Sequence, residues 1–303
     1  MRARASRATA LLALCGLFIV DVPWAAPARP GDQSTGPVRS VYFQTSDGVR
    51  LRVLEASPRR LSGRLPVVAF IPGWSMPASI WQAQLTAFSQ RYRVAALDPR
   101  GQGQSEVPAG GYTAERRSRD IAEFVARYPR VVLVGWSLGA LEALQYVHQF
   151  GDKQVEALVL VDSSVGEEPK PPPGNFPDDL RADREKALDR FIRAIFRSKR
   201  PPSEYKQLLD GALKLPLEAS IDLLSYPFPR EHWRDIARAF RKPLLYVVTP
   251  QFAEQAQNLS RNRPGTRIEV FADAGHTLFV DEPQRFNALL DHFLGALPVS
   301  GRK

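Results

Sequence analysis

Cysteine is nearly absent from this chain. The only one among 303 residues is Cys15, inside the apolar run Ala10 to Val20. A chain so poor in cysteine cannot be a disulfide scaffold or a thiolate metal site, and thiol catalysis has no candidate in its body. Histidine is also scarce, with four residues: His148, His232, His276 and His292. No constellation of metal-ligating spacing is visible, so no metal and no cofactor is expected. The glycines of Asp98-Pro99-Arg100-Gly101-Gln102-Gly103-Gln104-Ser105 have neither the G-x-G-x-x-G nor the P-loop spacing, which argues against phosphate cradling. Nucleic-acid motifs are missing too, and the basic residues are interleaved with acids.

Membrane-spanning length is lacking as well. The run Ala10 to Val20 has 11 residues, too few to cross a bilayer comfortably. Arg2, Arg4 and Arg7 precede it and Ala26-Pro27-Ala28 follow, the order of a secretory signal peptide cleaved near Ala26 or Ala28. Residues 1–28 are therefore expected to be removed, leaving a periplasmic or secreted protein with no stable membrane span. Acylation of Cys15 is the lesser alternative, because Leu14 is larger than the residue expected before a lipidated cysteine. The formal charge is +9; three arginines and one aspartate in residues 1–28 account for two of these charges, so the remainder carries +7. Residues 29–39, rich in Pro, Gly and Ser, read as a disordered lead-in.

What is present is an alternation of strands and helices. Val41 and Phe43, then Val49, Leu51 and Val53 across Ser46-Asp47-Gly48, predict an edge hairpin. Arg59 to Pro66 reads as a loop. Val67 to Ile71, Arg93 to Leu97, Ala157 to Val161, Pro243 to Val248 and Thr266 to Phe271 read as further strands. Helices are expected over Ile80 to Phe88, Tyr112 to Tyr128, Gln251 to Leu259 and Phe286 to Leu294. At the centre, Val131-Val132-Leu133-Val134 forms a strand buried on both faces, and Leu138, Leu141, Leu144 and Val147 continue at helical spacing. Between them lies Gly135-Trp136-Ser137-Leu138-Gly139, a G-x-S-x-G turn. Such a turn puts Ser137 above the sheet over a helix N-terminus, where the Leu138 N–H faces a developing oxyanion. Gly73 allows a second close approach after the Val67 to Ile71 strand, which makes the Trp74 N–H the other candidate donor.

Composition changes at Glu167 to Asp179, which holds five prolines. Beyond it Leu188, Phe191, Ile192, Ile195 and Phe196 form an apolar helical stripe, and no strand is expected before Leu244. Residues 166–240 thus read as a helical cap, with 40–165 and 241–297 forming the core. His276 follows the last strand in Ala272-Asp273-Ala274-Gly275-His276-Thr277 and is the candidate base. For the acid, Asp162 stands at the carboxyl end of a buried strand.

These motifs, in the order Ser137, Asp162, His276, resemble the α/β-hydrolase superfamily over residues 40–297. Asp98 to Ser105 matches its D-x-R-G-x-G-x-S turn. Gly73-Trp74-Ser75 with Trp81 is similar to the oxyanion loop of its serine esterase and cofactor-free haloperoxidase-like branch, and the elbow is similar to that of carboxylesterases acting on pimeloyl methyl esters. The resemblance implies an α/β-hydrolase fold: a mostly parallel eight-stranded sheet flanked by helices, with a helical cap after strand 6. It also implies hydrolysis of a small-molecule ester or related acyl bond by Ser137, His276 and Asp162 through an acyl-enzyme, with Trp74 and Leu138 as oxyanion donors.

Two departures stand out. Pro72 occupies the place where the family commonly has His. No Asp follows the Pro243 to Val248 strand, where the family usually keeps its acid; Thr249-Pro250-Gln251 leads directly into a helix. Asp162 is the first replacement and Glu254 the second, with a Ser–His dyad or an inactive site as the remaining readings. A serine at the elbow argues against dehalogenase and epoxide-hydrolase chemistry, which use Asp there. Other serine-dependent activities (perhydrolase, C–C hydrolase, lipase, acyltransferase) and a non-catalytic ligand-binding homologue stay open.

Overall fold

Strands that read as continuous apolar runs need cover on both faces, and the sheet has it. A computed structural model describes residues 36–59 and 65–298; the expected signal peptide, most of the lead-in and part of the Arg59 to Pro66 loop lie outside them. The strands are β1 (Arg39–Gln44), β2 (Arg50–Ala56), β3 (Val67–Ile71), β4 (Val94–Leu97), β5 (Val131–Trp136), β6 (Val155–Val161), β7 (Leu244–Val248) and β8 (Thr266–Val270). They form one eight-stranded sheet in the order β1-β2-β4-β3-β5-β6-β7-β8. The β1–β2 hairpin is antiparallel and joins β4 antiparallel, and every other pairing is parallel. The expected fold class and edge hairpin are therefore found.

The period of two along each strand divides the core into two layers. Val68, Phe70, Val132, Val134, Val159 and Val247 face one side. There they meet Leu85 and Phe88 of α1 (Gln82–Phe88) and Phe286 and Leu290 of α11 (Pro283–Gly295). Val67, Ala69, Ile71, Leu133, Leu158 and Tyr246 face the other side. They pack on α2 (Ala114–Val125), α3 (Leu138–Phe150) and α9 (Ala253–Asn262) through Phe124, Leu144 and Leu259.

Between β6 and β7 lie α4 (Phe176–Ala182), α5 (Arg184–Ala194), α6 (Pro202–Ala212), α7 (Leu217–Asp222) and α8 (Arg230–Ala239). The apolar stripe of α5 turns inward at Leu188 and Ile192, and Leu180, Leu208 and Ile221 join the same cluster. The last of these helices behaves differently. Trp233, Ile236 and Ala237 of α8 pack in the layer of α3 and α9 rather than with the α5 stripe.

Helix limits shift where side chains capture backbone groups. The Thr113 hydroxyl accepts from the Arg116 N–H and starts α2 at Ala114, two residues later than its apolar pattern suggests. The expected helix from Ile80 begins as a 3₁₀ turn at Ala78–Trp81, because the Asp98 carboxylate takes the Ala78 N–H at 2.5 Å.

At the centre, α3 lies unusually close to β3 and β5. A Cβ at Gly139 would stand 2.5 Å from the Pro72 carbonyl oxygen, and one at Gly135 would stand 2.3 Å from that of Gly139. Both obstacles are backbone atoms and cannot rotate away. Gly135→Ala is therefore expected to lower the unfolding free energy by about 2 kcal/mol or more. Gly211 of α6 has nothing within 4 Å of its Cβ position, so Gly211→Ala should stabilise by roughly 0.5–1 kcal/mol. Urea unfolding midpoints of the two variants check both signs.

Candidate active site

Four loops at the carboxyl ends of parallel strands build the site, and backbone strain marks three of them, those after β3, β5 and β6. Among the described residues the non-glycine positions with left-handed φ are Ser75, Ser137 and Asp162, at 58°, 54° and 43°. Each costs of the order of 1–3 kcal/mol and persists only where its surroundings over-determine it.

Ser137 joins β5 to α3 with φ 54° and ψ −121°. Its N–H donates to the Val161 carbonyl at 2.8 Å, which ties the turn to the neighbouring strand. Leu138 is the first residue of α3, so its N–H is among the helix amides without an intrahelical acceptor.

Asp162 directly follows β6 and is fully buried. Its Oδ1 accepts from the Thr249 N–H at 2.6 Å and the Thr249 hydroxyl at 2.9 Å. Its Oδ2 lies 2.7 Å from His276 Nδ1, and His276 Nε2 lies 2.9 Å from Ser137 Oγ. The structure thus brings Ser137, His276 and Asp162 into one chain. A carboxylate can only accept, so the imidazole proton sits on Nδ1. Nε2 is left with the lone pair that accepts the serine O–H. Such an arrangement can withdraw a proton from Oγ and stabilise the resulting imidazolium.

Glu254 is not part of it. That residue lies exposed in the first turn of α9 and makes no contact with His276. The short Thr249-Pro250 connection instead supplies two donors to the carboxylate standing one strand away.

Trp74 packs at the same place. A Cβ on Gly73 would come within 3.1 Å of Ser137 Cβ, which places the loop after β3 directly against the elbow. The Trp74 indole N–H donates to the Ser220 carbonyl of α7, and its ring meets those of Phe176 and Phe191 edge-on at 5.5 and 5.3 Å. A cavity of about 310 Å³ opens beside Ser137, walled by Trp74, Leu138, Leu141, Leu223, Tyr226 and Trp233.

The histidine loop is clamped from behind. The Trp136 indole N–H donates to the His276 carbonyl at 2.8 Å. Thr277 donates its N–H and hydroxyl to the Ile195 carbonyl at the end of α5. Asp281, in the short helix α10 (Leu278–Asp281), accepts from the N–H groups of Gly275, Arg197 and Ser198 and from the Ser198 hydroxyl. One carboxylate therefore holds the residue before His276 and the segment after α5 together. Sequence reasoning singled out neither Thr249 nor Asp281, since Thr249 acts through Asp162 and Asp281 through Arg197 and Ser198, all far away in the chain, as well as through nearby Gly275.

A profile of the alpha/beta hydrolase family matches residues 68–289. The chain is 25% identical over 278 residues to the AB hydrolase superfamily protein YisY of Bacillus subtilis (strain 168), covering 83% of this chain and 98% of that one. It is 28% identical over 262 residues to the pimeloyl-[acyl-carrier protein] methyl ester esterase of Vibrio atlanticus (strain LGP32), covering 77% and 96%. The esterase EaEST from Exiguobacterium antarcticum shares the fold, with a TM-score of 0.73 at 22% identity over 85% of this chain and all of that one.

The Asp281 clamp has a pH signature. Burial pushes its carboxyl upward, but the Ser198 hydroxyl and the N–H groups of Arg197, Ser198 and Gly275 outweigh this and hold it below the usual aspartate value. A depressed folded pKa contributes stability that is complete above the unfolded value, near 4, and is lost as pH falls through the folded one. Asp281→Asn is therefore expected to be less stable than the parent at neutral pH, with the gap closing below about pH 4. Urea unfolding at a series of pH values checks this, and a gap independent of pH would contradict it.

Proposed function

The chain belongs to the alpha/beta hydrolase family and by that kinship is a carboxylic ester hydrolase; from this premise we propose that it cleaves esters of small uncharged groups through an acyl-enzyme on Ser137. The observation that carries this reading is His276 standing 2.9 Å from the Ser137 hydroxyl and 2.7 Å from the Asp162 carboxylate. Ser137 Oγ attacks the ester carbonyl carbon while His276 Nε2 takes its proton. The tetrahedral oxyanion is received by the N–H groups of Trp74 and Leu138, each worth about 3 kcal/mol in sites of this kind. His276 returns the proton to the leaving alcohol as the C–O bond breaks, leaving acyl-Ser137. Water then adds under the same base and releases the acid. Asp162 holds the imidazole tautomer.

Cavity chemistry narrows the substrate. At about 310 Å³ the cavity lies at the small end of ligand-pocket sizes. Its lining carries no charged side chain among the described residues, so a charged substrate end there would lose hydration without a partner. A short or medium acyl or aryl group fits this wall. Export is part of the same reading and rests on residues 1–28, whose Arg-rich start, apolar run and Ala26-Pro27-Ala28 read as a cleavable signal. Mass spectrometry of the periplasmic or secreted protein should find the chain beginning just after Ala26 or Ala28.

Hydrolysis of p-nitrophenyl esters from acetate to laurate tests the enzyme reading. Turnover should peak among the short and middle chains and fall for laurate. Ser137→Ala should abolish it, and Asp162→Asn should lower kcat by up to about 10⁴-fold. A fluorophosphonate probe should label Ser137. Absence of both turnover and labelling in the parent protein would return the chain to the ligand-binding reading.

A further inference from the structure

The proposed site uses the Trp74 N–H, yet nothing in the triad explains what aims it. Gly73 and Trp74 share one trans, planar peptide, so the direction of the Gly73 C=O fixes the opposite direction of the Trp74 N–H. That carbonyl is held. Gln102 Nε2 donates to the Gly73 oxygen at 3.0 Å and to the Met76 oxygen at 2.8 Å, gripping both ends of the turn that carries Trp74.

The amide orientation of Gln102 is forced by what lies behind it. Arg117 offers only donors, and its Nη1 and Nη2 each lie 3.2 Å from Gln102 Oε1. Oε1 must face the guanidinium, and Nε2 must face the two carbonyls. Arg117 is in turn fixed by Glu142, with Nε 2.8 Å from Oε1 and Nη2 3.0 Å from Oε2. The Tyr226 hydroxyl completes the chain by donating to Glu142 Oε1 at 2.9 Å. Gln102, Arg117 and Glu142 are each 1% exposed, whereas Tyr226 lines the cavity beside Ser137.

We propose that Gln102, held by the buried Arg117–Glu142 pair and Tyr226, is a positioning residue that orients and polarises the Gly73–Trp74 peptide as an oxyanion donor. Two physical effects act together. The bond to the Gly73 oxygen prevents the peptide plane from flipping, and a hydrogen bond accepted by a C=O strengthens the N–H of the same amide as a donor. The Tyr226 end makes this orientation depend on the wall that the substrate touches. The inference rests on the ester-hydrolase reading of Ser137 and assigns no part in the chemistry to Gln102 itself.

Gln102→Glu gives a clean test. It keeps the shape and an acceptor for Arg117, replaces the N–H groups that reach the Gly73 and Met76 carbonyls by a carboxylate oxygen, and leaves the Gly73 oxygen only the Met76 N–H at 3.2 Å. Gln102→Met, which removes all polarity, serves where the acidic variant fails to fold. In the full mature protein the expected result is a fall in kcat of about tenfold or more with KM within about twofold, as for an interaction made in the transition state. Affinity for phenylboronic acid, which forms a tetrahedral adduct on the serine, should weaken by the same factor. Tyr226→Phe should lose a few-fold in both. A folded Gln102→Glu or Gln102→Met protein with kcat and phenylboronic acid affinity within about twofold of the parent overturns the inference and leaves the esterase reading standing. A parent protein that neither turns over esters nor labels at Ser137 overturns both.

Discussion

The close backbone approach of α3 to β3 and β5 is the constraint on which the rest depends. Gly135 and Gly139 permit a separation that no Cβ would fit. Because the helix begins so near the strand ends, the chain has one residue in which to reverse direction, and Ser137 takes a left-handed φ to do it. The same approach puts the Pro72 and Ile71 carbonyls against Gly139, and so brings the loop after β3 into contact with the serine. Strain at the elbow is offset by the Ser137 N–H bond to β6 and by the buried layers above and below the sheet.

Core and cap meet at the very loops that carry the site. The Trp74 indole is bonded to α7, the His276 loop is bonded through Thr277 and Asp281 to the end of α5, and Tyr226 reaches Glu142 of α3. A helical cover on an α/β sheet could pack through apolar contact alone. Here directional hydrogen bonds join it to the groups whose positions matter most, so the shape of the cavity and the geometry of the triad are coupled. The buried charges follow a single rule: Asp98, Asp120 and Glu142 each face an arginine, while Asp162 faces a histidine and two donors of Thr249.

Much of this was legible beforehand. The G-x-S-x-G turn between a β-branched run and a helical stripe located Ser137, since few local structures accommodate that spacing. His276 stood out by elimination among four histidines. Strand positions were readable because burial on both faces demands unbroken apolar runs, whereas two helix starts moved by two residues where Thr113 and Asp98 captured a backbone N–H. The packing of α8 against α3 and α9 was not readable for a related reason: an amphipathic pattern states that one face is buried, but not which layer buries it.

The sequence by itself determined the alternation of elements, the elbow and the chemical types available to the site, because these follow from local periodicity and from steric rules over a few residues. Tertiary structure alone shows which carboxylate reaches His276. Along the chain Asp162 is favoured over Glu254 by its place at the end of a buried strand, but nothing local brings either to the imidazole. Only the pairing of β6 with β7 sets Thr249 beside Asp162 and carries that carboxylate across 114 residues to the imidazole. The same holds for Gln102 and Asp281, whose partners are remote in sequence. Hydrogen bonds between distant segments leave no periodic trace, so they become visible only once the sheet has put those segments together.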